Sequence, residues 1–178
     1  MRFVEATEAI ERLGRVIPDF PRAGVTFRDL TPVFADGPAL HALTDALVEP
    51  FGGQFDAIAG VEARGFVLAA SAAHATGHGL VMIRKPGKLP RTVLSEDYDL
   101  EYGSSTLQVH PDELEPGARV LLLNDVLATG GTLAASCSLI ERAGWSIAGV
   151  SVVLEISGLN GQAKLPGRTV HSLLTITT

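Results

Sequence analysis

The chain has 178 residues, of which 46% are hydrophobic and 19% charged, and its formal net charge is −6. That length suits one domain with a sizeable core, since domains run to roughly 100–200 residues, and the apolar content is too high for a disordered chain. The acidic balance argues against a general affinity for nucleic acid or an anionic membrane, both of which need a basic surface.

Cys137 is the only cysteine, which excludes an intramolecular disulfide and a cysteine-based zinc cage within one chain. Its neighbours place it on a helix packed against a sheet, as a small apolar side chain. The opening stretch "MRFVEATEAIERLGRVI" carries Glu5, Glu8 and Glu11, which does not fit a secretory signal. No run reaches the roughly 18 apolar residues of a membrane span. The expectation is a cytoplasmic protein with neither membrane nor nucleic acid as a partner.

Val4, Ile10, Leu13 and Ile17 give the opening segment a loose helical stripe. Leu40, Leu43 and Leu47 do the same after Asp36, an N-cap followed by Gly37 and Pro38. "DAIAGV" (56–61) reads as a buried strand, "GFVLAASAAHA" (65–75) as a small-residue helix and "GLVMI" (79–83) as a second strand. A polar, turn-rich insertion follows. Then come the strand "RVLLL" (119–123), a helix from Thr132 to about Ala143, and "IAGVSVVLEI" (147–156). Buried strands alternating with helices, without internal repeats, predict an α/β fold: one domain over 1–178, with a central, mostly parallel sheet flanked by helices.

Ligands in such folds sit at the carboxyl ends of the strands. Four of those ends carry polar chemistry: "EARG" after Val61, "RKPGK" after Ile83, "NDVLATGGT" after Leu123 and "EISG" after Leu154. A loop such as "ATGGT" can aim successive backbone N–H groups at a phosphate, helped by the helix dipole and the hydroxyls of Thr129 and Thr132. It can equally be a strand-to-helix turn capped by one of those threonines. Asn124 and Asp125 just before it favour the phosphate reading, because a carboxylate beside a phosphate cradle suits the vicinal hydroxyls of a ribose 5-phosphate. The loop lacks the Gly-Lys-Ser/Thr of a Walker A motif and the Gly-x-Gly-x-x-Gly of a dinucleotide site.

In "EARG", Arg64 can reach an anion while the turn's amides bind its oxygens; the alternative is a surface ion pair of Glu62 with Arg64. "RKPGKLPR" (84–91) holds four basic residues in eight and opens the insertion that runs to "EDYDLEYG". With no helical period and two prolines, it suits a mobile lid that closes over a charged substrate, and Asp97 and Asp99 read as its solvated charges. His74 and His78 have i, i+4 spacing, but Gly77 intervenes and no carboxylate is near in sequence, so a metal site is not expected there. Trp145 reads as packing.

"VLLLNDVLATGGT" resembles the phosphoribosyl pyrophosphate (PRPP) signature of type I phosphoribosyltransferases. The segments "DFPRAGVTFRDLTPVFAD" (19–36), "GVEARGFVLA" (60–69), "IRKPGKLPRTVLSEDYDLEYG" (83–103) and "VVLEISGLNGQAKL" (152–165) resemble the adenine branch of that family, in its order and over nearly the whole chain. The resemblance implies the type I fold, with a small base-binding hood over 1–35 and a lid loop over 84–110. It implies transfer of the phosphoribosyl group from PRPP to N9 of adenine, giving AMP and pyrophosphate, by a homodimer. Mg²⁺ would be the cofactor, held by substrate oxygens and water, with Asp125 as the side chain available to it.

By the same resemblance Asn124 and Asp125 hold ribose hydroxyls, and Ala128, Thr129, Gly130, Gly131 and Thr132 wrap the 5-phosphate. Glu62, Ala63 and Arg64 form the pyrophosphate loop, Lys85 contacts pyrophosphate, and Arg84 serves the pyrophosphate of a neighbouring subunit's site. Arg64 and Glu101 act in catalysis, Glu101 managing the purine proton. Val25, Phe27, Arg28 and Ile156 surround adenine, whose N6 amine suits a main-chain acceptor. The departure is Asn124, where the family has an acid, and it implies weaker or altered PRPP binding. A PRPP- or purine-binding regulator, a weakened homologue and a transferase for another base are the rival readings.

Overall fold

The computed structural model describes residues 2–20, 23–24, 26–99 and 103–177. Two of the expected site residues, Val25 and Glu101, lie outside the described residues.

The first helix, α1 (Arg2–Leu13), is followed by a two-stranded antiparallel ribbon of β1 (Arg15–Ile17) and β2 (Phe27–Asp29). The apolar stripe differs from the one expected. Ala6, Ala9 and Ile10 are buried, whereas Val4 is exposed and Ile17 belongs to β1, so small residues at helical spacing set this face. Next come α2 (Thr31–Ala35) and α3 (Gly37–Val48). Asp36 caps α3 as expected, its Oδ1 accepting from the Ala39 amide at 2.9 Å.

The central sheet contains β3 (Ala57–Val61), β4 (Gly79–Ile83), β7 (Arg119–Leu127), β8 (Ser146–Ile156) and β9 (Val170–Ile176). They are parallel throughout, in the order β4-β3-β7-β8-β9. Helix α4 (Arg64–Thr76) links β3 to β4, and α5 (Gly131–Arg142) links β7 to β8. Side chains alternate across the sheet. Leu121 and Leu123 of β7 join the core built with α1, α3 and α4, while Val120 and Leu122 join the core under α5. A sheet covered on both faces makes continuous apolar runs, which is why these strands are so readable. Cys137 and Trp145 are buried in the second core, and no helix of the described residues is long and apolar enough to cross a membrane.

Two expectations need correction. Strand β7 continues to Leu127, pairing Asn124 with Val152 and Leu127 with Glu155, so Asn124 and Asp125 sit within the strand and the turn proper begins at Ala128. The insertion is also more regular than expected. Its β5 (Leu94–Asp99) and β6 (Ser104–Val109) form an antiparallel hairpin, with Leu107 and Val109 buried in the core under α5. Half-buried Leu94, Glu96 and Tyr98 alternate with exposed Ser95, Asp97 and Asp99, a period of two. Arg142 on α5 donates to the Ser95 carbonyl at 2.8 Å and to Glu96 at 2.5 Å, docking the hairpin on the helix.

The start of the sheet is fixed by a forked ion pair. Arg119 donates from Nε and Nη2 to Asp56 at 3.0 and 2.6 Å, and its backbone amide donates to the same carboxylate at 2.9 Å. The side-chain and then the backbone bond from Arg119 hold the Asp56 carboxyl down at about 2, below the ordinary 3.8. A depressed carboxyl stabilises the fold above its unfolded value and loses that contribution as pH falls through the folded one. Asp56→Asn should therefore flatten the fall in unfolding free energy between about pH 4 and pH 2, read by chemical denaturation at stepped pH.

Candidate active site

The carboxyl ends of β3 and β7 feed directly into the first turns of α4 and α5. A helix start leaves backbone N–H groups without intrahelical partners. Neither helix has a side-chain cap: Ala63 precedes α4 and Gly130 precedes α5, and neither makes a capping bond. Thr129 and Thr132 therefore do not cap α5, and the reading of "ATGGT" as a simple capped turn does not hold. Two sets of free amides and two positive dipole ends open at one edge of the sheet, an arrangement suited to anions.

Between them lies a cavity of about 310 Å³, lined by Val61, Glu62, Ala63, Arg64, Lys85, Tyr98, Leu107, Asn124, Asp125 and Thr132. A smaller hollow of about 60 Å³ is formed by the loop from Val126 to Leu133, and Thr132 borders both. Gly130 has φ +80°, and a Cβ on Gly131 would lie a tight 3.0 Å from the Asp99 carbonyl oxygen. Glycine suits both positions for different reasons: a left-handed turn at the first and close approach of the hairpin at the second. Gly65 is constrained likewise, for its Cβ would meet Asn124 Oδ1 at 3.0 Å and the Leu123 carbonyl oxygen at 3.2 Å.

Arg64 connects the parts. Its Nε lies 2.7 Å from Asp125 Oδ2, and its guanidinium stacks over Phe27, 5.0 Å from the ring centroid. The contact with Asp125 is an ion pair whose N–H is not aligned on the oxygen, which leaves Oδ2 buried without a hydrogen-bond donor. Burial pushes the Asp125 carboxyl above its ordinary value. The charge of Arg64 and the amides of Asp125 and Val126 oppose that shift without cancelling it. Such a group is stored charge, and a hydroxyl donor arriving from a ligand would satisfy it.

Glu62 does not pair with Arg64 but with Arg84, whose Nε donates to its Oε2 at 3.2 Å, while the Lys85 amide donates to the same oxygen at 3.0 Å. Burial raises this carboxyl, but Lys85 and Arg84 outweigh it and the net shift is downward. Arg84 also donates to the Lys88 carbonyl and faces the Phe66 ring at 5.7 Å, while Lys85 lines the cavity. A cis peptide joins Glu62 to Ala63.

Asn124 donates from Nδ2 to the Val126 carbonyl at 3.1 Å, a bond that a carboxylate could not make. Asp125 and Glu62 are thus the acids of the cavity lining. Phe27 is half-buried, with Phe20 edge-on at 5.2 Å, and Arg28 has a buried Nε without a partner. Ile156 ends β8 paired with Ile176 and does not line the cavity. Tyr98 and Leu107 do line it, and sequence reasoning missed both; the two-residue alternation of the hairpin was the signal that could have found Tyr98. The described residues contain no cluster of three or more His, Cys, Asp or Glu that could hold an ion.

This geometry has known counterparts. The phosphoribosyl transferase domain family matches residues 39–169. The adenine phosphoribosyltransferase of Renibacterium salmoninarum is 60% identical over 169 residues, covering 95% of this chain and 93% of that protein. Among solved structures, the adenine phosphoribosyltransferase of Thermoanaerobacter pseudethanolicus superposes with a TM-score of 0.92 at 42% identity, covering 96% of this chain and 99% of that one. The Saccharomyces cerevisiae enzyme, solved with adenine and an imino-altritol bisphosphate, gives 0.90 at 32% identity over 96% and 99%. A parallel sheet opening two uncapped helices onto one acid-bearing cavity, and sequence identity of this extent, lead to one conclusion: the chain belongs to the phosphoribosyltransferase family.

Proposed function

We propose that this protein transfers the 5-phosphoribosyl group of PRPP to N9 of adenine, releasing AMP and pyrophosphate, as a step of purine salvage in the cytoplasm. The observation that carries the reading is the convergence of two uncapped helix starts on a cavity holding a buried, under-satisfied Asp125. Relatives of this identity are adenine phosphoribosyltransferases, and the yeast neighbour was solved with adenine bound.

In this reading Ala128 to Thr132 bind the 5-phosphate through the amides opening α5, and Asp125 accepts from the ribose hydroxyls beside Asn124. The turn Glu62-Ala63-Arg64 and Lys85 receive the pyrophosphate. Phe27, Arg28, Val25 and Ile156 form the adenine side, and the stacking of Arg64 on Phe27 joins it to the ribose side. A donor set of Asp125 with the neutral Asn124 suits a hard cation that keeps water and takes its other oxygens from the substrate, as Mg²⁺ does. When bound, Mg²⁺ supplies neutralisation of the leaving pyrophosphate. The bond from C1 of the ribose to pyrophosphate breaks, N9 forms the new one, and Glu101 handles the proton shifting on the purine. The β5–β6 hairpin is the lid, its Tyr98 already at the cavity wall. The gain comes from positioning and fixed dipoles rather than from a covalent intermediate.

The protein acts as a homodimer in this proposal. Strand β4 is an edge strand, and Met82 on it and Val67 on α4 are 45% and 42% exposed, so pairing there would cover both. Arg84, at the end of the same strand, lies where a partner's site could use it. Sedimentation velocity should return twice the 18.7 kDa chain mass; a single-chain mass across micromolar concentrations would overturn this part.

The activity is tested by following AMP formation from adenine, PRPP and Mg²⁺, with hypoxanthine and guanine in parallel. Adenine-selective turnover is expected. PRPP binding without turnover would move the protein to the regulator class, and preference for a 6-oxo purine would overturn the base assignment.

A further inference from the structure

Behind the phosphate loop lies a second turn that the reading above leaves unused. It runs between β8 and β9 as two short 3-10 segments, Ser157–Leu159 and Gly161–Lys164. Gly161 backs Gly130 so tightly that a Cβ on Gly130 would overlap the Gly161 carbonyl oxygen, and a Cβ on Gly161 would overlap that of Ala128. The two backbones are in contact, so the placement of one fixes the other. Glu155 holds the turn from the sheet side. Both its oxygens accept from Gln162 Nε2 at 2.8 Å, and Oε2 also accepts from Ser172 Oγ at 2.7 Å.

Lys164 ends this turn. Its Nζ lies 3.9 Å from the point that a Cβ on Gly131 would occupy, beside the uncapped first turn of α5. Every ion-paired cation of the described residues is an arginine or His41, so the Lys164 ammonium has no carboxylate partner among them. An unpaired ammonium on a turn whose Gly161 is packed against the anion-binding loop adds a point charge where the loop adds directional N–H groups. A phosphate dianion uses both.

We propose that Lys164 is a phosphate-binding residue of the 5-phosphate subsite, brought there by the turn that Gly161 packs against the loop. The assignment rests on the PRPP reading above. It also separates the two ends of the substrate. Lys164 stands at the β7–α5 end, whereas Arg64 and Lys85 stand at the ends of β3 and β4, where pyrophosphate is placed. Loss of the Lys164 charge should therefore be felt by one phosphate group and not by the other.

The test is calorimetric titration of the full chain with ribose 5-phosphate and, separately, with pyrophosphate and Mg²⁺, for the parent protein, Lys164→Met and Lys164→Arg. Lys164 is exposed, so both variants should fold, and their thermal midpoints check that. Lys164→Met should weaken ribose 5-phosphate about tenfold, the effect of losing one charge-assisted contact, with Lys164→Arg recovering most of it. Pyrophosphate affinity should stay within about twofold of the parent. Unchanged ribose 5-phosphate binding in Lys164→Met overturns the assignment, and so does an equal loss for both ligands, which would mean a diffuse field. A parent protein that binds neither ligand brings down the PRPP reading itself, and this assignment with it.

Discussion

The pairing of Arg64 with Asp125 ties the central strand, the start of α4 and the N-terminal ribbon together at the site. Asp125 is buried near the end of the central strand, and Arg64 begins the helix that follows the neighbouring strand. Their contact at 2.7 Å joins β7 to the start of α4, and the stacking of Arg64 on Phe27 extends the link to the N-terminal ribbon. An ion pair with its carboxylate buried adds little to stability, because desolvating that charge offsets much of what the attraction returns. Its retention at the mouth of a cavity makes sense when the carboxylate has a second partner to receive.

Around that pair, anion binding is assigned mostly to backbone. Two helix starts without caps leave amides free, and glycines at 65, 130 and 131 let strand, turn and hairpin approach to distances at which a Cβ would be overlapped or tightly crowded. Side-chain charge is used sparingly: Lys85 faces the cavity, while Arg84 is tied to Glu62. Free amides held by a rigid sheet need no reorganisation when charge develops, which favours them over long flexible cations for catalysis.

Much of this was legible in the sequence because the sheet is covered on both faces. The runs in β3, β4, β7 and β8 are apolar without alternation, so they stand out, and the polar residues that follow them mark the site edge. Three features hid. The extension of β7 through Asn124 and Asp125 runs against the expectation that polar residues end a buried strand; here a buried carboxylate that lines the cavity is kept inside it. Strand β9, "VHSLLTI", mixes half-buried and exposed positions at the sheet edge and carries no clean period. The β5–β6 hairpin is acidic on its exposed face, and its charges masked the alternation that places Tyr98 at the cavity. Asn124 was legible as a departure but not in its consequence, since its amide bond to the Val126 carbonyl belongs to tertiary structure.

If Asp125 is held as a buried charge for its ligand, the fold should be weaker for it at neutral pH. Its carboxyl is raised by burial, so its contribution to stability is full below the ordinary carboxylate value and is lost as pH rises through the folded one. Arg64, about one-third exposed, can turn to water when its partner is neutral. The measurement to make is the thermal unfolding midpoint of Asp125→Asn at neutral pH, beside its affinity for PRPP. A midpoint at or above that of the parent protein, with PRPP affinity reduced about tenfold or more, is the expected result. A lower midpoint with PRPP affinity unchanged would contradict it, and would make the pair a structural clasp rather than part of the site.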